Sequence, residues 1–240
     1  LALSILLLIS FFDSFLFPRD VLHERQFNPA YLHERKLEVL LTSEVRFQLS
    51  ELRTFELYSQ INRYSLKVAS FGNDIYRENI FEFGFGFPVG QSLSLGLNAA
   101  GLNVWIKDVS NDFTYTLKAG GQFENDPFLV SVWINNINVP RISSFDYVPI
   151  SYSLRLEYAA TRILRFDFAM RGVEAELPFY NFGLVLSPHN SLLLSLKVNT
   201  KPLLLEYGVQ LLLGKMLFNY AGNRHQQLGL THNIGLGFVR

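Results

Sequence analysis

The sequence predicts an all-β fold, an antiparallel β-barrel of the transmembrane kind with about fourteen strands, twelve being the alternative. Three observations carry this. Runs that alternate apolar and polar residues follow one another from Lys36 to the end of the chain. Turn residues separate them at short intervals. Almost every run has one continuous apolar face, and a closed barrel in lipid accommodates that more simply than two stacked soluble sheets.

Composition agrees. The chain has 240 residues, among them 22 Phe and 11 Tyr. Lys plus Arg number 21 and Asp plus Glu number 21, so nothing points to nucleic acid as a partner. Cysteine is absent, which excludes disulfides and thiolate metal sites.

Taken in order, residues 1–17 read as part of a signal peptide. Leu1 to Phe12 is uncharged and apolar, the length of a signal h-region and too short for a membrane helix. The basic stretch of such a signal is expected ahead of Leu1. Residues 18–35 form an N-terminal segment with little periodicity. Leu-His-Glu-Arg occurs there twice, at 22–25 and 32–35, without the second His of a zinc-protease helix. Phe27-Asn28-Pro29-Ala30 between the copies is a turn signal.

The barrel is expected over 36–240. Strands are predicted at 36–47, 53–61, 63–71, 78–88, 91–107, 112–122 and 127–136. A second set follows at 150–159, 163–171, 177–187, 191–199, 203–213, 216–221 and 228–239. The clearest alternation lies between Ser151 and Leu186. Tyr152, Leu154, Leu156 and Tyr158 face one way there, and Ser153, Arg155 and Glu157 the other. Leu164, Phe166, Phe168 and Met170 likewise oppose Arg165, Asp167 and Arg171. Tyr152 and Tyr158 bound an apolar stretch about 20 Å long, close to the band between the aromatic girdles of a barrel.

The connections alternate in length. Even-numbered gaps are tight, near Asn62, Gly90 and Gly214-Lys215 among others, and odd-numbered ones are mostly longer. Short turns at one end and longer loops at the other mark an outer-membrane barrel. The polar face carries facing charges. A three-residue turn after Ala159 would set Glu157 opposite Arg165 and Arg155 opposite Asp167, a pairing that fixes register. The plainer reading of these four charges is a lattice that holds the lumen wall together.

Several short motifs resemble the FadL-like and PorV/PorQ-like outer-membrane barrels. Asn28-Pro29-Ala30 is similar to that group's N-P-A motif ahead of the first strand. Ser70-Phe71-Gly72-Asn73 followed by Tyr76-Arg77-Glu78 is similar to a second segment. Asn219-Tyr220-Ala221, Gln227 to His232 and a last strand from Ile234 to Phe238 resemble the group's ending. The resemblance implies fourteen strands and an N-terminal plug holding Asn28, Pro29 and Ala30. It also implies one of two roles: moving hydrophobic compounds across the bacterial outer membrane, or serving type IX secretion as a partner of exported proteins.

Catalysis is not expected. A lipase would need a Ser–His pair with a third orienting group, and His23, His33, His189, His225 and His232 offer no such set. His232 shares the parity of the apolar face and reads as an interfacial, hydrogen-bonded side chain. No His spacing suits a metal and no motif calls for a cofactor. The expected partners are membrane lipids, with a hydrophobic small molecule or a secretion protein. Two alternatives stay open: a structural barrel with a closed lumen that anchors a partner, and a soluble secreted β-sandwich.

Overall fold

Alternation becomes a wall because each strand gives its polar side chains to one side of the sheet and its apolar ones to the other. The computed structural model describes residues 27–33, 36–142, 147–201, 203–225 and 228–240. The expected signal peptide at 1–17, and residues 18–26 of the N-terminal segment, lie outside them.

Fourteen strands pair antiparallel, each with the next and the last with the first, so the sheet closes on itself. β1 (Lys36–Val45), β2 (Arg53–Asn62), β3 (Tyr64–Gly72), β4 (Tyr76–Pro88) and β5 (Leu93–Ile106) come first. β6 (Ser110–Asn125), β7 (Phe128–Asn135), β8 (Ser151–Ala159), β9 (Leu164–Val173) and β10 (Phe179–His189) follow. β11 (Leu192–Thr200), β12 (Leu203–Leu213), β13 (Met216–His225) and β14 (Gly229–Val239) complete the circuit. One closed sheet excludes the two-sheet sandwich. The seam is fully bonded: β1 and β14 pair from Glu38↔Val239 to Val45↔His232.

The faces sort as the alternation demands. On β1, Glu38, Thr42 and Glu44 are buried inside while Val39 and Leu41 are exposed outside. On β8, Ser153, Arg155 and Glu157 are inside, and Leu154, Leu156 and Tyr158 outside. Three outward glycines are covered by an aromatic ring from a neighbouring strand, Gly101 by Phe113, Gly172 by Tyr152 and Gly222 by Tyr207. Each ring fills the gap left by the missing side chain.

The connections keep only part of the expected asymmetry. The even-numbered ones are short: Arg63 alone, then 89–92, 126–127, 160–163, 190–191 and 214–215. Tight reversal at Asn62 (φ 55) and Gly214 (φ 64) needs a left-handed backbone, which these residue types tolerate. Among the odd-numbered ones 46–52, 136–150 and 174–178 are longer, but 73–75, 107–109, 201–202 and 226–228 are not. There the ladder continues into polar residues that the sequence reading gave to loops, as in 222–225 of β13.

The β8–β9 register also differs from expectation. Glu157 lies opposite Asp167 and Arg155 opposite Ala169, a two-residue shift from the predicted pairing. The cause is the turn. It spans 160–163, one residue more than expected, and the Thr161 hydroxyl accepts hydrogen bonds from the Ile163 and Leu164 amides.

Candidate functional site

The barrel interior holds three groups of residues that bear on function. The first is the segment ahead of β1. Pro29–His33 forms a 3-10 turn inside the barrel, and Phe27, Asn28, Ala30, Tyr31 and Leu32 are all buried. Asn28 organises it. Its side-chain oxygen accepts from the Ala30 amide at 3.0 Å, and its amide nitrogen reaches the carbonyls of Gly121 (3.5 Å) and Val132 (3.4 Å) on the wall. Four inward glycines make room on β4–β6. A Cβ at Gly86 would stand 2.7 Å from the Pro29 carbonyl oxygen, and one at Gly84 2.9 Å from Leu32. Side chains at Gly96 and Gly120 would overlap the Pro29 backbone and the Asn28 amide. Glycine inside a strand lets a neighbouring backbone come close, and close approach is what occurs at Gly84 and Gly86.

The second group is a lattice of buried charges. Arg155 Nε donates to Asp167 Oδ1 at 2.7 Å, and its guanidinium lies 3.1 Å from Glu157 Oε1. Arg165 reaches Glu157 at 3.7 Å. All four charges named from the sequence therefore meet, but diagonally rather than directly opposite. Tyr31 ties the turn to this lattice, its hydroxyl lying 3.4 Å from Glu157 and 3.5 Å from Arg155. A further pair was not singled out in the sequence: Lys118 lies 3.2 Å from Glu82, which also accepts from Asn98 at 2.8 Å. The Lys118 ammonium stands 3.7 Å from the centre of the Phe27 ring, and that ring packs on Trp133 at 4.8 Å. A cation over an aromatic face is attracted to it.

The third group lies toward the end that carries connections 46–52 and 136–150. Here the wall inverts. Ala69, Phe71, Ile80, Ala100 and Leu102 form a buried apolar cluster on the inner face of β3–β5. Val148, from the connection between β7 and β8, packs into it with no exposure. Arg46 covers the Phe71 ring at 4.8 Å. Outside, at the same height, runs a polar ladder. Ser70 donates to Asn79 (2.9 Å), Asn79 to Asn103 (3.1 Å) and Asn103 to Asn111 (2.7 Å). The sequence reading missed this inversion. Its trace is the change of sign in the alternation at Ala69-Ser70-Phe71 and Leu102-Asn103-Val104.

Among the described histidines His33 lies in the turn, its Nδ1 2.8 Å from the Ala30 carbonyl, and the others lie away from it. His232 Nδ1 lies 2.8 Å from the Tyr220 hydroxyl on the outer face, the hydrogen-bonded role expected of it. His225 Nδ1 accepts from the Leu228 amide at 3.2 Å. Among the described residues no three His, Asp or Glu are grouped as metal ligands would be.

No family model matches the chain, and no curated protein matches it. Solved structures do. The monoaromatic hydrocarbon channel CymD superposes with a TM-score of 0.58 at 11% identity, over 93% of this chain and 92% of that one. The toluene transporter TbuX of Ralstonia pickettii gives 0.59 at 10% identity, over 90% and 92%. The outer membrane protein Omp33 of Acinetobacter baumannii gives 0.56 at 14%, over 86% and 98%. At these identities the likeness is one of fold.

Proposed function

We propose that the chain is a barrel of the bacterial outer membrane that admits small hydrophobic molecules from outside, without catalysis. The observation that carries this is the inverted mouth, apolar within and polar without. A polar outer ladder suits a wall that rises out of lipid into water. The apolar inner cluster there is covered by Val148 and Arg46, and a hydrophobic solute that displaces them leaves water at roughly 25 cal/mol per Å² of apolar area. The fold likeness to hydrocarbon channels supports the same reading, and the hydrophobe-carrying side of the family resemblance over the secretion side.

In this reading Asn28, Pro29 and Ala30 belong to a plug seated on β4–β6 near the short-turn, periplasmic end. Arg155, Glu157, Arg165 and Asp167 brace the wall and bind its Tyr31. A solute that takes the place of Val148 against Phe71 and Leu102 would pass only when that plug shifts. The seated turn also favours a second reading, a barrel closed for good that anchors a partner.

Uptake of labelled toluene into proteoliposomes separates the two. Wild-type vesicles should exceed protein-free ones, and Leu102→Asp should cut the excess by about fivefold or more, because it puts a charge on the apolar rest site. Its gel migration without heating should stay that of a folded barrel. Uptake no faster than in protein-free vesicles would reject the transport reading.

A further inference from the structure

A closed barrel ordinarily has no free strand edge, yet this one keeps one. β6 pairs with β5 along its whole upper length, to the hairpin pair Ile106↔Ser110. Its pairing with β7 stops at Lys118↔Asn135, where β7 ends. The stretch 110–117 therefore has, among the described residues, no strand paired with it on that side. The chain covers the lowest part of that edge with a substitute. Asn138 Oδ1 accepts from the Leu117 amide at 2.9 Å and Asn138 Nδ2 donates to the Tyr115 carbonyl at 2.8 Å, while the Ile137 amide donates to the Leu117 carbonyl at 3.1 Å. One side-chain amide thus takes the place of a strand's peptide group. These bonds also show that odd-numbered residues of β6 aim their backbone groups toward this edge, because successive residues on a strand alternate. Above Tyr115, the backbone groups of Asn111 and Phe113 aim the same way, and no described residue pairs with them there.

The side chains on this stretch are those of an unused docking edge. Phe113 is 72% exposed and Tyr115 63% exposed on the outer face. The Asp112 carboxylate, on the other face, has no ion-pair or hydrogen-bond partner among the described residues.

We propose that the β6 edge from Asn111 to Tyr115 takes an extended peptide segment of another protein as an added strand. Main-chain hydrogen bonds to Asn111, to Phe113 and to the Tyr115 amide would hold it. Its residues beside Phe113 and Tyr115 would be β-branched or aromatic, and the one beside Asp112 basic, since such cross-strand pairs attract. A second copy of this chain does not fit. Two barrels inserted the same way up and related by a two-fold axis run their β6 strands in the same sense with equal heights facing, which sets N–H against N–H rather than against C=O. That exclusion rests on the outer-membrane reading, whereas the edge itself does not, and it is independent of what passes through the lumen.

The test uses the full chain in lipid nanodiscs and a fluorescent seven-residue peptide in which valine alternates with threonine around a central lysine. Saturable binding is expected. The same peptide N-methylated at alternate amides should bind at least about tenfold more weakly, because it can no longer complete a ladder. Phe113→Pro should do the same. It removes an N–H that points only to the free edge, so the β5 ladder survives, and unheated gel migration verifies the fold. Asp112→Asn should weaken the lysine peptide and leave one with threonine in its place unaffected. Equal binding of the N-methylated peptide, equal binding to a folded Phe113→Pro barrel, or no saturable binding up to about 1 mM would each overturn the proposal.

Discussion

At the scale of single residues, Arg155 carries the interior. Its side chain is 1% exposed and stands between Asp167 and Glu157, which the register places directly opposite each other. Without the guanidinium two carboxylates would share a buried site, and like charges across a strand pair repel. Arg155→Ala is expected to cost about 3–5 kcal/mol, read as a lower urea midpoint for loss of the folded gel band. Adding Asp167→Asn should return part of that loss, and a single variant as stable as wild type would show that the lattice does not brace the wall. The sequence disclosed the partners but not their register. Charge alternation says which side chains share a face. It does not say how many residues the turn uses, and a long guanidinium reaches a diagonal neighbour as easily as an opposite one.

At the scale of elements, the turn at Pro29–His33 and the strands β4–β6 are shaped to each other. The fit depends on glycine, so Gly96→Leu should unseat the turn by driving a side chain into the Pro29 backbone. In planar bilayers that variant is expected to conduct more than wild type while keeping the folded gel band. Unchanged conductance would mean that the turn does not close the passage. This element was legible only in part. Asn28-Pro29-Ala30 stood out through resemblance, but nothing in local sequence says that this turn meets the glycines of β4–β6. The apolar mouth was hidden for another reason. Period-two alternation reports a difference between faces, and it reads the same when both faces change sign together.

At the scale of the whole molecule, the outer surface decides the environment. Exposed Leu41, Phe81, Leu97, Phe166, Phe182 and Leu236 lie on strands all round the barrel, with no second layer among the described residues to cover them. The protein should need detergent for extraction and migrate faster on a gel before boiling than after. A chain soluble without detergent, with no such shift, would mean that these faces pack against a core. The strand count and their order were legible because each strand is its own amphipathic unit and each pairs with its chain neighbour. The strand ends were not, since ladders continue into polar residues where a neighbour supplies the partner.

The seam between β1 and β14 sets the order of assembly. Thirteen of the strand pairs are hairpin neighbours and close small loops; the fourteenth joins residues from the two ends of the chain. Entropy therefore favours the neighbours first and the seam last. The Pro29–His33 turn lies inside the circle that the seam completes, so it takes its seat while the sheet is still an open ribbon. The final step encloses a segment already in position.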